Sequence, residues 1–83
     1  NRINLDEIEN IISKIKIKSV CVQRNKDMIH IFLNKKTDNK YLINYISKYT
    51  SLNSKVFKII TINSFPFLEN KKIDYKNKIF ENE

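Results

Sequence analysis

The sequence predicts an α+β domain: a small sheet of about three strands with helices packed on it, in the order α-β-β-α-β-α. Three observations carry that expectation. Apolar residues recur at helical spacing in two separate stretches, and short β-branched runs lie between and after them. Polar turn formers separate every pair of segments, and neither an internal repeat nor a linker divides the chain.

Asn4 followed by Glu7 forms a capping-box pattern, with Asn in place of the usual Ser or Thr. Behind it Leu5, Ile8, Ile11, Ile12 and Ile15 make one apolar stripe, which predicts a helix over 5–15. Lys14, Lys16 and Lys18 follow at its end, where cations favour the helix dipole. Ser19 to Gln23 reads as a strand, Arg24 to Asp27 as a polar turn and Met28 to Leu33 as a second strand, so the pair predicts a hairpin. Thr37, Asp38 and Asn39 can cap a second helix carrying Leu42, Ile43, Ile46 and Tyr49. Val56 to Ile62 reads as a third strand. Ser64 to Lys71 is irregular, and Asp74 can cap a final short helix ending near Phe80.

A chain of 83 residues is one small domain. Such a chain buries only about 60–65% of its unfolded surface, which argues against a large enclosed active site. Its hydrophobic content of 41% predicts a folded domain and not a disordered one. The formal net charge of +7 suits an anionic partner, but the lysines are spread along the chain, as on an ordinary solvated face. One cysteine excludes an internal disulfide, and the lack of a Cys/His cluster excludes a structural zinc site. No apolar run approaches the roughly 18 residues of a membrane span, and no signal-peptide pattern opens the chain, so a soluble cytoplasmic protein is expected. Because the sequence opens abruptly on helix-start residues, it is expected to be a piece of something longer.

The chain has no glycine. Loops that cradle phosphates need glycine for close backbone approach, so a nucleotide met by this domain must be held mainly elsewhere. His30 lies between Ile29 and Ile31 without a second acid, base or ligand nearby, and is expected to be structural or on the surface. Cys21 between Val20 and Val22 is expected to be a buried, inert thiol. Tyr41, Tyr45 and Tyr49 recur every four residues and suit the edge of a core better than a base-stacking platform. Asp6, Glu7 and Glu9 stand near a helix start, where carboxylates have a capping and dipole role.

One segment stands apart. Phe65-Pro66-Phe67-Leu68-Glu69-Asn70-Lys71-Lys72-Ile73-Asp74-Tyr75-Lys76 holds the only proline, a polar turn and a lysine beside rigid elements. A cation so placed serves chemistry on carboxylates and phosphates. This stretch resembles the pattern L-P-x-T-x-N-G-K-I/V-D-R/K-x-x-L/I near the end of the lid domain of adenylate-forming enzymes. That superfamily includes peptide-synthetase adenylation domains, D-alanine-activating ligases, acyl-CoA synthetases and luciferases. Pro66, Asn70, Lys72, Ile73 and Asp74 match in register. A second stretch, Arg2-Ile3-Asn4-Leu5-Asp6-Glu7-Ile8-Glu9, resembles the R-I-E-x-x-E-I-E pattern near the lid's start, with Asn4 in place of the first Glu. The two motifs in this order span nearly the whole chain.

The resemblance implies that residues 1–83 are the C-terminal lid of an AMP-forming ligase whose large N-terminal adenylation domain is not in this sequence. Lys72 would be the catalytic lysine, contacting the substrate carboxylate and the α-phosphate region of ATP. ATP with magnesium would be bound mainly by the large domain. A compact ammonium would offset the repulsion of two approaching anions, and losing one such donor typically costs on the order of 10²–10³ in rate. The lid would then swing away so that a carrier-protein or CoA thiol can be served. The N-G-K-x-D form resembles amino-acid-activating members, so an amino acid or similar small carboxylate is the expected substrate.

Two departures stand out. The family glycine is Lys71 here, which puts a side chain where positive φ is expected, at roughly 1 kcal/mol or more, and a second lysine beside Lys72. Tyr75 replaces the common Arg. Two rival readings stay open: a small basic nucleic-acid-binding module, with steeply salt-dependent affinity, and a lid-like domain that has lost catalysis and serves only for interaction.

Overall fold

The computed structural model describes residues 4–81. Helix α1 (Leu5–Ser13) leads into the antiparallel strands β1 (Ser19–Asn25) and β2 (Met28–Leu33), followed by helix α2 (Asn39–Thr50) and strand β3 (Phe57–Thr61). The sheet runs β1-β2-β3, with β3 parallel to β2 and α2 as the crossover between them. The fold is the expected α+β class, in the order α-β-β-α-β.

Local chemistry fixes the ends of each element. Asn4 caps α1, its Oδ1 accepting the N–H groups of Asp6 at 3.0 Å and Glu7 at 3.3 Å. The helix stops at Ser13, two residues short of the expected end, because Lys16 turns the chain with φ at 65°. Asp38 caps α2 through the Tyr41 N–H at 3.2 Å, and Ser51 ends it in the left-handed region at φ 62°. The hairpin pairs Cys21 with Ile31 and Val22 with His30, and a register shift between Gln23 and Asn25 takes Arg24 out of the ladder. The third strand begins at Phe57 and not at Val56, since Ser54–Val56 wind into a 3-10 turn capped by Asn53.

Alternation along the strands gives the sheet two buried faces. Cys21, Ile29, Ile31, Leu33 and Phe57 face α1 and α2, meeting Ile8, Ile12, Leu42 and Ile46. Val20 and Phe32 face the other way and meet Phe65 and Phe80. Each such side chain contributes about 1.5–3 kcal/mol on burial. The second layer is therefore built from the C-terminal segment, which has almost no regular structure.

That segment departs from the expected final helix. Asp74 does not start a helix: its Oδ1 takes the Lys76 N–H at 3.1 Å and its carbonyl takes the Asn77 N–H at 3.1 Å. Only a three-residue 3-10 turn, Lys78–Phe80, forms, capped by Asn77. Asn70, Asp74 and Asn77 each bond a backbone N–H two residues on, a local alternative that competes with the helix. The resulting chain of turns lets Ile73, Ile79 and Phe80 all reach the sheet.

Candidate functional site

Lys72 sits on a turn closed by several hydrogen bonds of its own backbone. Leu68 donates its N–H to the Lys72 carbonyl at 2.7 Å, and Lys71 donates to the Leu68 carbonyl at 2.9 Å. Asn70 Oδ1 accepts the Lys72 N–H at 3.0 Å. Just beyond the turn, Phe67 pairs with Ile73 in an antiparallel bridge, and Asp74 donates its N–H to the Pro66 carbonyl at 3.0 Å. Lys71 adopts φ 69°, the left-handed conformation expected where glycine would be preferred.

Two anchors hold this hairpin-like turn. From inside, Phe65 is buried with Val20, Phe32 and Phe80, and Ile73 packs on the same cluster. From the side, the Tyr75 hydroxyl donates to Glu9 Oε1 of α1 at 3.2 Å. Lys71 and Lys72 are exposed, and among the described residues the Lys72 ammonium has no hydrogen-bond or ion-pair partner. Phe67, Leu68 and Tyr75, three of the five large hydrophobic residues left exposed among the described residues, flank the lysines along the chain. Lys18 lies over the Phe67 ring with Nζ 5.0 Å from its centre, adding a third cation to the rim.

Between the turn and α1 runs an open cleft of about 560 Å³, bordered by Asp6, Glu9, Lys18, Lys71, Lys72 and Tyr75. Glu9 was expected to have only a capping and dipole role, and the structure gives it another. Its Oε2 accepts the N–H of Cys21 at 2.9 Å while Oε1 takes Tyr75, so one carboxylate ties α1 to the outer edge of β1 and to the lysine turn. Burial pushes the Glu9 carboxyl above its ordinary value, against the lowering effect of the two hydrogen bonds. Spacing alone hid this role, because the partners are 12 and 66 residues away. The one available signal was a glutamate at the fifth position of α1, one turn past the cap.

The other candidates fall where packing explains them. Cys21 is buried, and desolvation with nearby Glu9 raises its thiol far above the ordinary range. His30 is buried and accepts a hydrogen bond at Nδ1 from Arg24 Nε at 3.2 Å, which makes it structural. The tyrosines divide. Tyr45 sits at the core edge and donates to the Ile11 carbonyl at 3.2 Å, whereas Tyr41 and Tyr49 are exposed, so the stripe is not a continuous core edge. Among the described residues no group of three acidic, Cys or His side chains is placed to hold a metal ion. None of their helices is long and apolar enough to cross a membrane. Asn4 to Glu9 of the N-terminal resembling stretch lie on the α1 cap and helix, while Arg2 and Ile3 are outside the described residues.

No family model, curated protein or solved structure matches this chain.

Proposed function

We propose that this domain is the C-terminal lid of an ATP-dependent, AMP-forming ligase that activates a small carboxylate, an amino acid in the first instance. Lys72 is the group it contributes. The observation that carries the reading is the backbone of Lys71: φ is 69° in the register where the resembling family has glycine, directly before an exposed lysine that has no partner among the described residues. The turn thus adopts at Lys71 the conformation that a glycine in that register would supply.

The chemistry suits the geometry. Carboxylate attack on an α-phosphate brings two anions together, and an ammonium on a fixed turn lowers the barrier without reorganising. The exposed Phe67, Leu68 and Tyr75 supply an apolar collar that can seat against a partner surface and exclude water around the charge. This chain has no glycine loop for the phosphates of ATP, so under this reading ATP and its magnesium would be held mainly by the large domain. A carrier-protein or CoA thiol would accept the acyl group afterwards.

Carboxylate-dependent ATP–pyrophosphate exchange by the full-length protein tests the reading. Lys72→Ala is expected to lose about 10²–10³ in rate, and Lys71→Ala only a few fold. Full activity in Lys72→Ala would remove the assignment. Steeply salt-dependent binding of nucleic acid without exchange activity would favour a basic binding module. Exchange activity unaffected by either change would favour a lid that serves only for interaction.

A further inference from the structure

We infer that Tyr75 and Glu9 form a positioning pair that aims Lys72, an inference resting on the ligase reading above. The lysine turn is attached to the sheet by Phe65 and Ile73, apolar contacts that carry no direction of their own. Among the described residues, its one side-chain hydrogen bond to another element is that of Tyr75, three residues after the lysine, to Glu9. Glu9 is itself fixed, because its second oxygen holds the Cys21 N–H of β1. The path from Lys72 through Ile73 and Asp74 to Tyr75 is short, and Asp74 is pinned to Pro66. A displacement of Tyr75 is therefore passed to the lysine backbone with little slack.

The arrangement also explains why a tyrosine works where the resembling family commonly has arginine. A phenol reaches the carboxylate as a single donor without adding charge beside Lys71 and Lys72. Glu9 in turn accepts from a neutral donor on each oxygen, a geometry that fixes direction and not merely attraction. Tyr75 is a positioning residue under this inference, since it acts through Lys72.

The test is a double-mutant cycle on the full-length protein, read by carboxylate-dependent ATP–pyrophosphate exchange. Tyr75→Phe is expected to lower kcat about tenfold with KM for ATP and carboxylate within about twofold, and to cost nothing further on the Lys72→Ala background. Glu9→Leu, which removes both acceptor oxygens, is expected to lower kcat about as far as Tyr75→Phe and to add little beside it. A Tyr75→Phe loss that persists undiminished beside Lys72→Ala overturns the inference while leaving the ligase reading intact.

Amide exchange across residues 68–74 gives a second readout that needs no activity. Tyr75→Phe is expected to speed exchange there about tenfold with the α2 amides unchanged. Unchanged exchange across 68–74 overturns the inference even if the ligase reading itself fails, which the Lys72→Ala result reports separately.

Discussion

The side-chain oxygen of Asn70 accepts the backbone N–H of Lys72 at 3.0 Å, so the residue two before the lysine sets the direction in which the chain presents it. This is the Asx turn that short polar side chains offer in place of regular structure. Asn70→Ala is expected to cost about 1 kcal/mol of stability and, under the ligase reading, about tenfold in exchange rate. Asn70→Asp keeps the acceptor and should retain most of both. Urea unfolding together with pyrophosphate exchange checks the pair; an alanine variant equal to wild type in both would show that the turn holds without this bond.

Lys71 and Ser51 carry side chains in the left-handed region, at φ 69° and 62°. For an L-residue that conformation costs roughly 1–2 kcal/mol, part of which glycine would return as greater entropy in the unfolded chain. Lys71→Gly and Ser51→Gly are each expected to stabilise the fold by about 0.5–1 kcal/mol, whereas Lys71→Ala should gain nothing. Denaturant midpoints at constant slope measure the difference. Destabilisation by Lys71→Gly would mean that the lysine stem makes compensating contacts.

Glu9 makes stability depend on pH in an unusual direction for a carboxylate. Burial raises its folded value above the 4.5 of an ordinary glutamate, so between 4.5 and the folded value the native state holds a proton that the unfolded chain has released. Stability therefore falls as pH rises through that window and is level above it. Tyr75, raised by partial burial and by the Glu9 charge, should add a second decline above pH 10. Thermal melts from mildly acidic pH to neutrality, compared with Glu9→Gln, test the first window. A Gln variant with the same slope as wild type would assign the effect to other groups.

Cys21 should be chemically silent in the folded protein. Alkylation needs the thiolate, and burial together with the neighbouring Glu9 charge opposes its formation. Modification by iodoacetamide at pH 8 is expected to be at least about a hundredfold slower in buffer than in denaturant, limited by opening of the domain. Rapid labelling of the native chain would contradict the packing of β1 against α1.

Phe80 closes the second face of the sheet. It is buried, meets Phe32 edge-on at 5.0 Å between ring centres, and its carbonyl accepts a hydrogen bond from Arg24. Phe80→Ala is expected to cost about 3–5 kcal/mol, a large fraction of what a domain this small commands. Loss of the near-ultraviolet aromatic signal at lower denaturant concentration would register it.

Where a segment's partners were near in sequence, its form was legible. The helix behind Leu5 and Ile8, the Asn4 and Asp38 caps and the β-branched hairpin all depend on neighbours within a few residues, and all are present, although the helix ends at Ser13, short of Ile15. The chain after Ser64 resisted, because Asp74 reads equally as a helix cap or a turn former. What decides between them is the need of Ile73, Ile79 and Phe80 to cover a sheet face built some fifty residues earlier. Glu9 was opaque for a related reason, since its meaning lies in strand and turn atoms that only the tertiary fold brings near. Lys72 stood out in the sequence only through a resemblance, and its exposure and anchoring emerged only with the fold.

The lysine turn belongs to the layer that shields one side of the sheet, and this governs what kind of motion could ever retract it. A flapping loop would have to pull Phe65 and Ile73 out of the hydrophobic interior, exposing Val20 and Phe32 to water at each cycle. The turn is thus a tooth on a solid gear: under the ligase reading, withdrawing Lys72 from a partner surface would mean rotating the entire domain, and speed of disengagement would be set by the contact it leaves, not by any pliancy of its own.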